Sequence, residues 1–511
     1  MGFASTLVQK TPYFGRMMKP DESTGLGELN TWPALLIMSA FMWLALAIVF
    51  GLTMPVVQIF GFDTNLFYTA LTVHGAVMAF PFVFQLMAGV GMHRAGGCLG
   101  TPVTGFFPAA FFFCMNVGSL LLVIAATSGL KISYAVMYPL PIVGVANGQW
   151  SMWHVILGFT GIAGILISVI LLYPIQVIKM TFFDQQRSEL VLSARTLKDP
   201  GMLGMSMAAF ILLILGTPLI TVASAVLLAL YGIVPMDWIG WATDVVVFQF
   251  VFWIFAHNLM EAMAIMVISA LYATLPLYLA DGTRKLYSDK MANLALWILL
   301  VTSVTSFFHH FFTMFPALPE TLSYHGNIMS WGTGIGAALT IFTVSATIWT
   351  HGIRAEPGLM AVLMGFVLYI LDGVSAIVTS TVAWSFKLHG TMWQAGHTMS
   401  VLIAMALMWL GVLIHHYPVI TGRQIDIRMG NLFTAFYTIG ALGVSWSFLA
   451  AGAAGMPRRY ANWGEENWMN YGYAIFLFGL TMTLSFVFLA MCLRRSRELA
   501  PLATPGAAPA E

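Results

Sequence analysis

The sequence contains very little charge. Only 8% of its 511 residues are Asp, Glu, Lys or Arg, whereas 59% are hydrophobic. Soluble globular proteins carry about 25% charged residues, which keep their surfaces in water. The composition therefore excludes a water-soluble protein and predicts that most of the chain lies in a lipid bilayer.

Paired cysteines and clustered charge are also missing. The three cysteines, Cys98, Cys114 and Cys492, form no CxxC pair, which excludes a disulfide framework, a thiolate metal site and a covalently attached c-type haem. The formal net charge is +1, and no long run of like charge occurs. Nucleic acid is therefore not an expected partner.

Long apolar stretches dominate the rest of the chain. A helix needs about 20 apolar residues to cross a bilayer, and twelve stretches meet this requirement. They cover approximately residues 31–60, 63–92, 105–128, 149–177, 203–233, 245–280, 292–317, 326–351, 358–384, 390–417, 429–453 and 470–493. This pattern predicts an all-α, polytopic membrane protein with twelve transmembrane helices.

Basic residues predict how the helices are oriented. With the N-terminus inside, seventeen of the 21 basic residues fall on the inner side, and only Lys131, Lys387, Arg458 and Arg459 fall outside. The excess of positive charge inside is typical of a cytoplasmic membrane with both termini in the cytoplasm. We expect three segments: a cytoplasmic N-terminal segment at 1–30, the membrane domain at 31–495 and a disordered tail at 496–511.

Ionisable side chains inside the predicted spans are few. Burial in a membrane is costly for such groups, so each is a candidate functional residue. Among the acidic residues only Glu261 and Asp372 lie well inside spans. The histidines inside spans are His74, His154, His257, His309, His310 and His397. Most of these histidines lie at a similar depth towards the outer side, as a metal site in a bundle core requires.

The adjacent residues His309 and His310 are the most specific feature. They project about 100° apart on a helix, so a shared metal needs a third ligand from another helix. His257 is the candidate for this ligand, and Glu261 lies one turn further along the same face. We therefore predict a metal site formed by the three histidines, with the Glu261 carboxylate beside it, where it would tune or ligate the metal.

Several other positions allow more than one interpretation. His397 and Met399 lie about 200° apart around their helix and could bind two different haems. Spacing alone favours packing for Met399, because the chain contains 34 methionines. Asp372 could bond to a neighbouring helix or serve a proton path. His154 is interpreted as structural, because no other candidate ligand converges on it.

Five motifs together resemble the haem-copper oxidase superfamily, subunit I type, over residues 30–495. They are TVHGAVMAF (72–80), FAHNLMEAM (255–263), HHFFTMFP (309–316), LHGTMWQAGHTM (388–399) and AGMPRRY (454–460). The resemblance implies that His74 binds a low-spin haem and His397 a high-spin haem. It further implies that His257, His309 and His310 bind the non-haem metal, and that His389, Arg458 and Arg459 lie near the haem propionates.

The departures from the family pattern indicate the reaction. Met399 occupies the position of the second low-spin haem ligand, usually a histidine. Glu261 replaces the tyrosine that oxygen-reducing members carry, and nitric oxide reductases of the superfamily place a glutamate there. A lysine of many proton-pumping members is absent, with Thr340 near its aligned position, so we expect little or no pumping.

The sequence therefore predicts a nitric oxide reductase catalytic subunit, reducing two NO molecules to N2O, with Glu261 as a catalytic residue. The expected cofactors are two haems, of b type, and one non-haem copper or iron. The expected electron donor is an external cytochrome c or cupredoxin, acting on the outer side, with a small or electron-accepting partner subunit.

A terminal oxidase fed by cytochrome c or quinol is the alternative, and a non-catalytic haem-binding membrane protein is a second alternative. The expected location is a bacterial or archaeal cytoplasmic membrane.

Overall fold

Twelve long apolar helices lie in the part of the chain that the structure describes, as the sequence predicts. The computed structural model describes residues 31–99, 103–132, 150–184, 189–190, 198–312, 320–421, 423–461 and 466–498. Within these residues the spans, called first to twelfth in chain order, are Thr31–Phe60, Thr64–Leu99, Phe106–Ser128, Met152–Phe182, Pro200–Leu230, Val245–Tyr278, Asp289–Phe311, Glu320–His351, Pro357–Thr379, Met392–Pro418, Ile427–Ala453 and Trp468–Arg494. The predicted all-α, polytopic fold is thus confirmed.

The ninth span ends earlier than its apolar run suggested. Its helix stops at Thr379, and a short separate helix follows at Val382–Leu388. The hydroxyls of Ser380 and Thr381 both donate to the main-chain carbonyl of Ile377. Such local side-chain bonds compete with the helical hydrogen bonds of the main chain, which explains a stop that hydropathy cannot detect.

The second and tenth spans form the centre of the bundle. In each, 78% of the apolar window is buried, against 17% for the twelfth span. The tenth span contributes an uninterrupted buried run from Ala404 to Leu410. A side chain on either central span therefore faces other helices in most directions, which is the environment that a buried cofactor requires.

Small residues let the ninth and tenth spans approach each other closely. A Cβ atom at Gly411 would lie 2.7 Å from the carbonyl oxygen of Gly358, and one at Gly365 would lie 2.9 Å from the carbonyl oxygen of Ala404. Membrane helices associate through such close backbone contacts because lipid provides little hydrophobic driving force. The contact fixes the ninth span against the tenth, which carries His397.

The second span changes its winding next to His74. Residues Met78–Phe84 form a π-helical segment that contains Pro81. Proline lacks the N–H donor of a regular helix, and π segments occur frequently at functional sites. This irregular segment begins one turn after His74.

A short strand pair lies at one end of the last three spans. Arg423–Gln424 pair antiparallel with Arg497–Glu498, and the Arg423 guanidinium donates to the hydroxyl of Ser496 at 2.8 Å. These contacts include the first residues of the predicted tail. The predicted N-terminal segment, 1–30, and the tail beyond 498 lie outside the described residues.

Candidate metal centre and haem-binding residues

Three histidines from two spans converge inside the bundle. Within the described residues, His257, His309 and His310 each offer a ligand atom, and these atoms lie within 4.8 Å of one another. The α-helix of the seventh span ends at Ser306, and residues Phe307–Phe311 form a tighter 3-10 helix. This tightening brings the His309 and His310 rings to 4.3 Å between centroids, so adjacent residues can serve one site.

A hydroxyl group on the eighth span orients His309. Ser330 Oγ lies 2.9 Å from His309 Nδ1 and donates its only proton to the carbonyl oxygen of Gly326 at 2.7 Å. The hydroxyl can therefore only accept from the ring, which places the His309 proton on Nδ1. The Nε2 lone pair is then available for a metal.

The same arrangement occurs at His257. Ser306 Oγ donates to the carbonyl oxygen of Ser303 at 2.9 Å and lies 3.3 Å from His257 Nε2. Nε2–H of His257 therefore donates to this hydroxyl, and Nδ1 keeps its lone pair. Partners of this kind, which hold the ring and its tautomer, are the usual second layer around metal-binding histidines.

The buried nitrogens show that the cluster fits a metal ion. Nδ1 of His257 and Nδ1 of His310 are buried, and neither has a hydrogen-bond partner among the described residues. A buried polar atom without a partner costs about 1–3 kcal/mol, and a bound cation would remove that cost. On the other side of His310 the Trp253 ring stacks at 3.7 Å between centroids and restricts its rotation.

Glu261 lies beside the cluster. Its Oε1 is 3.9 Å from His257 Nε2, one helical turn along the sixth span, and Nε2 is the nitrogen that faces Ser306. The set of mutually close ligand atoms comprises the three histidines and does not include Glu261. In this rotamer the carboxylate is placed as a neighbour of the site.

The proposed high-spin haem ligand, His397, faces a carboxylate on the ninth span. His397 Nδ1 lies 3.1 Å from both Oδ1 and Oδ2 of Asp372. Nδ1–H donates to the carboxylate, so Nε2 holds the lone pair. Of the two interpretations of Asp372, hydrogen bonding to a neighbouring helix is the one that the structure contains.

His74 is oriented in a similar way by the first span. Its Nδ1 lies 2.8 Å from the carbonyl oxygen of Ala47, which can only accept, so Nε2 again keeps its lone pair. Gly51 leaves room for this ring, because a Cβ atom there would lie 2.7 Å from His74 Cε1. Met399, on the tenth span, is half-buried against the main apolar core.

His389 and the paired arginines meet where the chain crosses between spans. The main-chain N–H of Arg458 donates to the carbonyl of Gly390 at 3.2 Å, and that of Met392 donates to Met456 at 2.8 Å. Burial, and then the positive charge of Arg458, lower the pKa of His389 to about 4. Arg459 adopts φ 64°, a left-handed conformation that costs about 1–2 kcal/mol for a non-glycine residue.

Sequence reasoning found the histidines and missed most of their partners. The serines at 306 and 330 gave no signal, because serine is common inside membrane helices. Tyr369, which lies within electrostatic range of the Glu261 and Asp372 carboxylates, was also missed. Thr340 accepts from the hydroxyl of Tyr272 at 2.8 Å. His154 bonds to Ser151 at 2.7 Å.

Comparison with known proteins identifies the family. The family model described as "Cytochrome C and Quinol oxidase polypeptide I" matches residues 33–491. This match covers most of the chain, so the protein belongs to the haem-copper oxidase family of subunit I polypeptides. Membership implies an oxidoreductase of a respiratory chain that contains haem and a copper or related metal centre.

Similar proteins have low sequence identity to this chain, but the alignments cover most of it. The cytochrome c oxidase subunit 1 of Thermostichus vulcanus is 24% identical over 421 residues, covering 79% of this chain and 71% of its own length. The quinol oxidase subunit 1 of Sulfolobus acidocaldarius is 24% identical over 416 residues, covering 77% of this chain and 74% of its own. A solved haem-copper terminal oxidase dimer aligns over 93% of this chain and 85% of its own, with TM-score 0.72 and 19% identity, and so shares the fold.

Proposed function

We propose that this protein is the catalytic subunit of a membrane nitric oxide reductase, which converts two NO molecules, two electrons and two protons into N2O and water. The observation that carries the proposal is Glu261, whose carboxylate lies 3.9 Å from His257 at the edge of the histidine cluster. NO reduction consumes protons and cleaves no O–O bond. A carboxylate able to pass protons suits this reaction, whereas a redox-active phenol is not required.

In this proposal His257, His309 and His310 bind a non-haem metal, copper or iron, and His397 binds a high-spin haem. His74 and Met399 bind a low-spin haem, while His389, Arg458 and Arg459 face the haem propionates, where a guanidinium can form bidentate bonds. When bound, these cofactors supply electrons and polarise the gas. Three imidazoles suit copper, and a nearby carboxylate is also compatible with iron.

Glu261 acts in this proposal as the final proton donor. Its side chain is about one-fifth exposed, so it borders a gap in the packing. Direct ligation of the metal by Glu261 would require its side chain to rotate away from Nε2 of His257. We therefore propose proton delivery as its main role and metal ligation as a secondary one.

An apolar cavity borders the face of the sixth span opposite to His257. It has a volume of about 450 Å³ and is lined by residues of the second to sixth spans, among them Leu71, Phe80, Phe255 and Leu259, and by Arg459. Phe255 and Leu259 each lie two residues from His257, about 200° around the helix, so the sixth span separates the cavity from the histidine cluster. A small apolar gas partitions into such a space more readily than a charged or polar substrate does, which makes the cavity a candidate reservoir and not the reaction site.

The predicted charge asymmetry places the histidine cluster towards the outer side of a bacterial or archaeal cytoplasmic membrane, with both termini in the cytoplasm. Electrons would then come from an external cytochrome c or cupredoxin, through a partner subunit that receives them.

The test is anaerobic NO turnover by the purified, reductant-fed protein, measured as N2O formation. Because general acid catalysis contributes about 100- to 10,000-fold, Glu261→Gln should lower the rate by about 100-fold or more and leave both haem spectra intact. Glu356→Gln is the matched control, since Glu356 is an exposed carboxylate in a surface ion pair with Arg354. An E261Q variant with full NO turnover would exclude the proposed role.

A second candidate function is O2 reduction to water. The relatives' names support it, since they are cytochrome c and quinol oxidases, and Tyr369 near Glu261 offers a phenol from a different helix. Fast O2 uptake without N2O formation, lost in Tyr369→Phe, would favour this function over NO reduction.

A further inference from the structure

A buried carboxylate stands directly behind the proposed high-spin haem ligand. Asp372 is only 4% exposed, and both of its oxygens lie 3.1 Å from Nδ1 of His397. A carboxylate in a membrane span is expensive unless a partner compensates it. Here the partners are the imidazole N–H and the hydroxyl of Ser375, which lies 2.9 Å from Asp372 Oδ1.

The backbone holds this pair in place. Asp372 and His397 belong to the ninth and tenth spans, which touch at Gly358, Gly365 and Gly411 with almost no room for side chains. The two helices therefore cannot shift far relative to each other. The equal distances to both oxygens show that the ring nitrogen faces the carboxylate group as a whole.

We propose that Asp372 is a positioning residue that sets the electron-donating strength of His397 towards the high-spin haem. The inference rests on the proposed role of His397 as ligand of that haem. By accepting the Nδ1–H bond, the carboxylate keeps the ring in the tautomer with its lone pair on Nε2. A negatively charged acceptor also draws the proton further from the ring than a neutral acceptor does, which makes Nε2 a stronger donor.

A stronger nitrogen donor favours the oxidised state of the haem that it binds, because ligand strength and hydrogen bonds to the ligand are levers on reduction potential. Asp372 therefore lowers the midpoint potential of the high-spin haem. A lower potential makes electron transfer to this haem less favourable. The carboxylate does this without touching substrate or metal.

The experiment compares the wild-type protein with Asp372→Asn. Asparagine has nearly the same shape and can still accept the Nδ1–H bond, but it carries no charge. In the reduced protein the iron–histidine stretching frequency, measured by resonance Raman spectroscopy, should fall. The midpoint potential of the CO-binding haem should rise, and that of the other haem should stay unchanged.

Two further variants separate charge from packing. Thr434→Val is the matched control, because Thr434 is buried to 5%, lies on the eleventh span and donates within its own helix, to the carbonyl of Gly430 at 3.1 Å. Both readouts should stay at wild-type values in this variant. Ser375→Ala removes a hydroxyl that donates to Asp372 Oδ1 at 2.9 Å or to the Asp372 main-chain carbonyl at 2.8 Å. A carboxylate with one donor fewer accepts more strongly from Nδ1–H of His397, so the stretching frequency should rise. This opposite sign would not follow from a merely structural role.

The outcomes are distinguishable. If D372N leaves the stretching frequency and the potential unchanged, the inference is wrong and the proposed function stands. If D372N does not accumulate, Ser375→Ala decides, and an unchanged or lowered frequency overturns the inference. If His397→Ala retains the CO-binding haem, the proposed ligand is wrong, and the inference fails with it.

Discussion

The serine behind His309 should control metal retention. Ser330→Ala removes the only hydroxyl that accepts the Nδ1–H bond of His309 at 2.9 Å. Without metal, the ring can move its proton to Nε2 and lose little. With metal on Nε2 the proton has to stay on Nδ1 without the serine hydroxyl, and only the main-chain carbonyl of Ser306 remains as an acceptor for the ring. The metal-bound state therefore loses one hydrogen bond.

The expected weakening of metal binding follows from this difference between the metal-free and metal-bound states. The net loss of one hydrogen bond costs about 0.5–1.5 kcal/mol, which corresponds to about 2- to 13-fold weaker metal binding. Elemental analysis of protein equilibrated with increasing concentrations of chelator measures this change. Both haem spectra should be unaffected, because Ser330 contacts neither proposed haem ligand in the described residues.

Ser447→Ala is the matched control. Ser447 is also buried in a span and also donates to the carbonyl of a glycine four residues earlier, Gly443, at 2.6 Å, but this bond involves no histidine. The control should retain metal as the wild type does. If Ser330→Ala retained metal equally well, the tautomer assignment of His309 would be wrong.

Two glycine substitutions test the haem-binding framework. Gly51→Ala places a Cβ atom 2.7 Å from His74 Cε1, so we expect loss of the low-spin haem spectrum with the CO-binding haem retained. Gly97→Ala is the control, because its Cβ atom meets nothing within 4 Å, and it should keep both haem spectra. Gly452→Ala places a Cβ atom on the main-chain nitrogen of Trp393, and we expect destabilisation by about 3 kcal/mol or more. Thermal inactivation would measure this loss, and a wild-type half-life for Gly452→Ala would contradict the close helix packing.

Helix number and type were predictable because hydropathy acts locally. Each span is long enough to cross a membrane by its own composition, whatever it packs against, so twelve spans could be read directly. Helix ends were less predictable. The break at Ser380 and the 3-10 turn at His309 depend on hydroxyl bonds and tight winding that do not alter average hydropathy.

The candidate ligands were predictable for a related reason. A histidine in a membrane span is rare and costly, so His257, His309 and His397 stand out in the sequence. The serines that hold these histidines do not stand out, because a serine in a membrane helix can bond to the main chain of its own helix and so has a low free-energy cost. Nothing in the sequence indicates that Ser330 reaches His309 or that Ser306 reaches His257.

The sequence by itself determined that this chain forms twelve membrane-spanning helices and that several of them carry a histidine at a similar predicted depth. Both properties follow from the free energy of placing single residues in lipid. Only the tertiary structure decided which nitrogen of each ring is available, that Glu261 lies beside the cluster, and that Asp372 stands behind His397. Those facts depend on the rotation and spacing of neighbouring helices. Close contacts at residues such as Gly365 and Gly411 set that spacing across long separations in the chain.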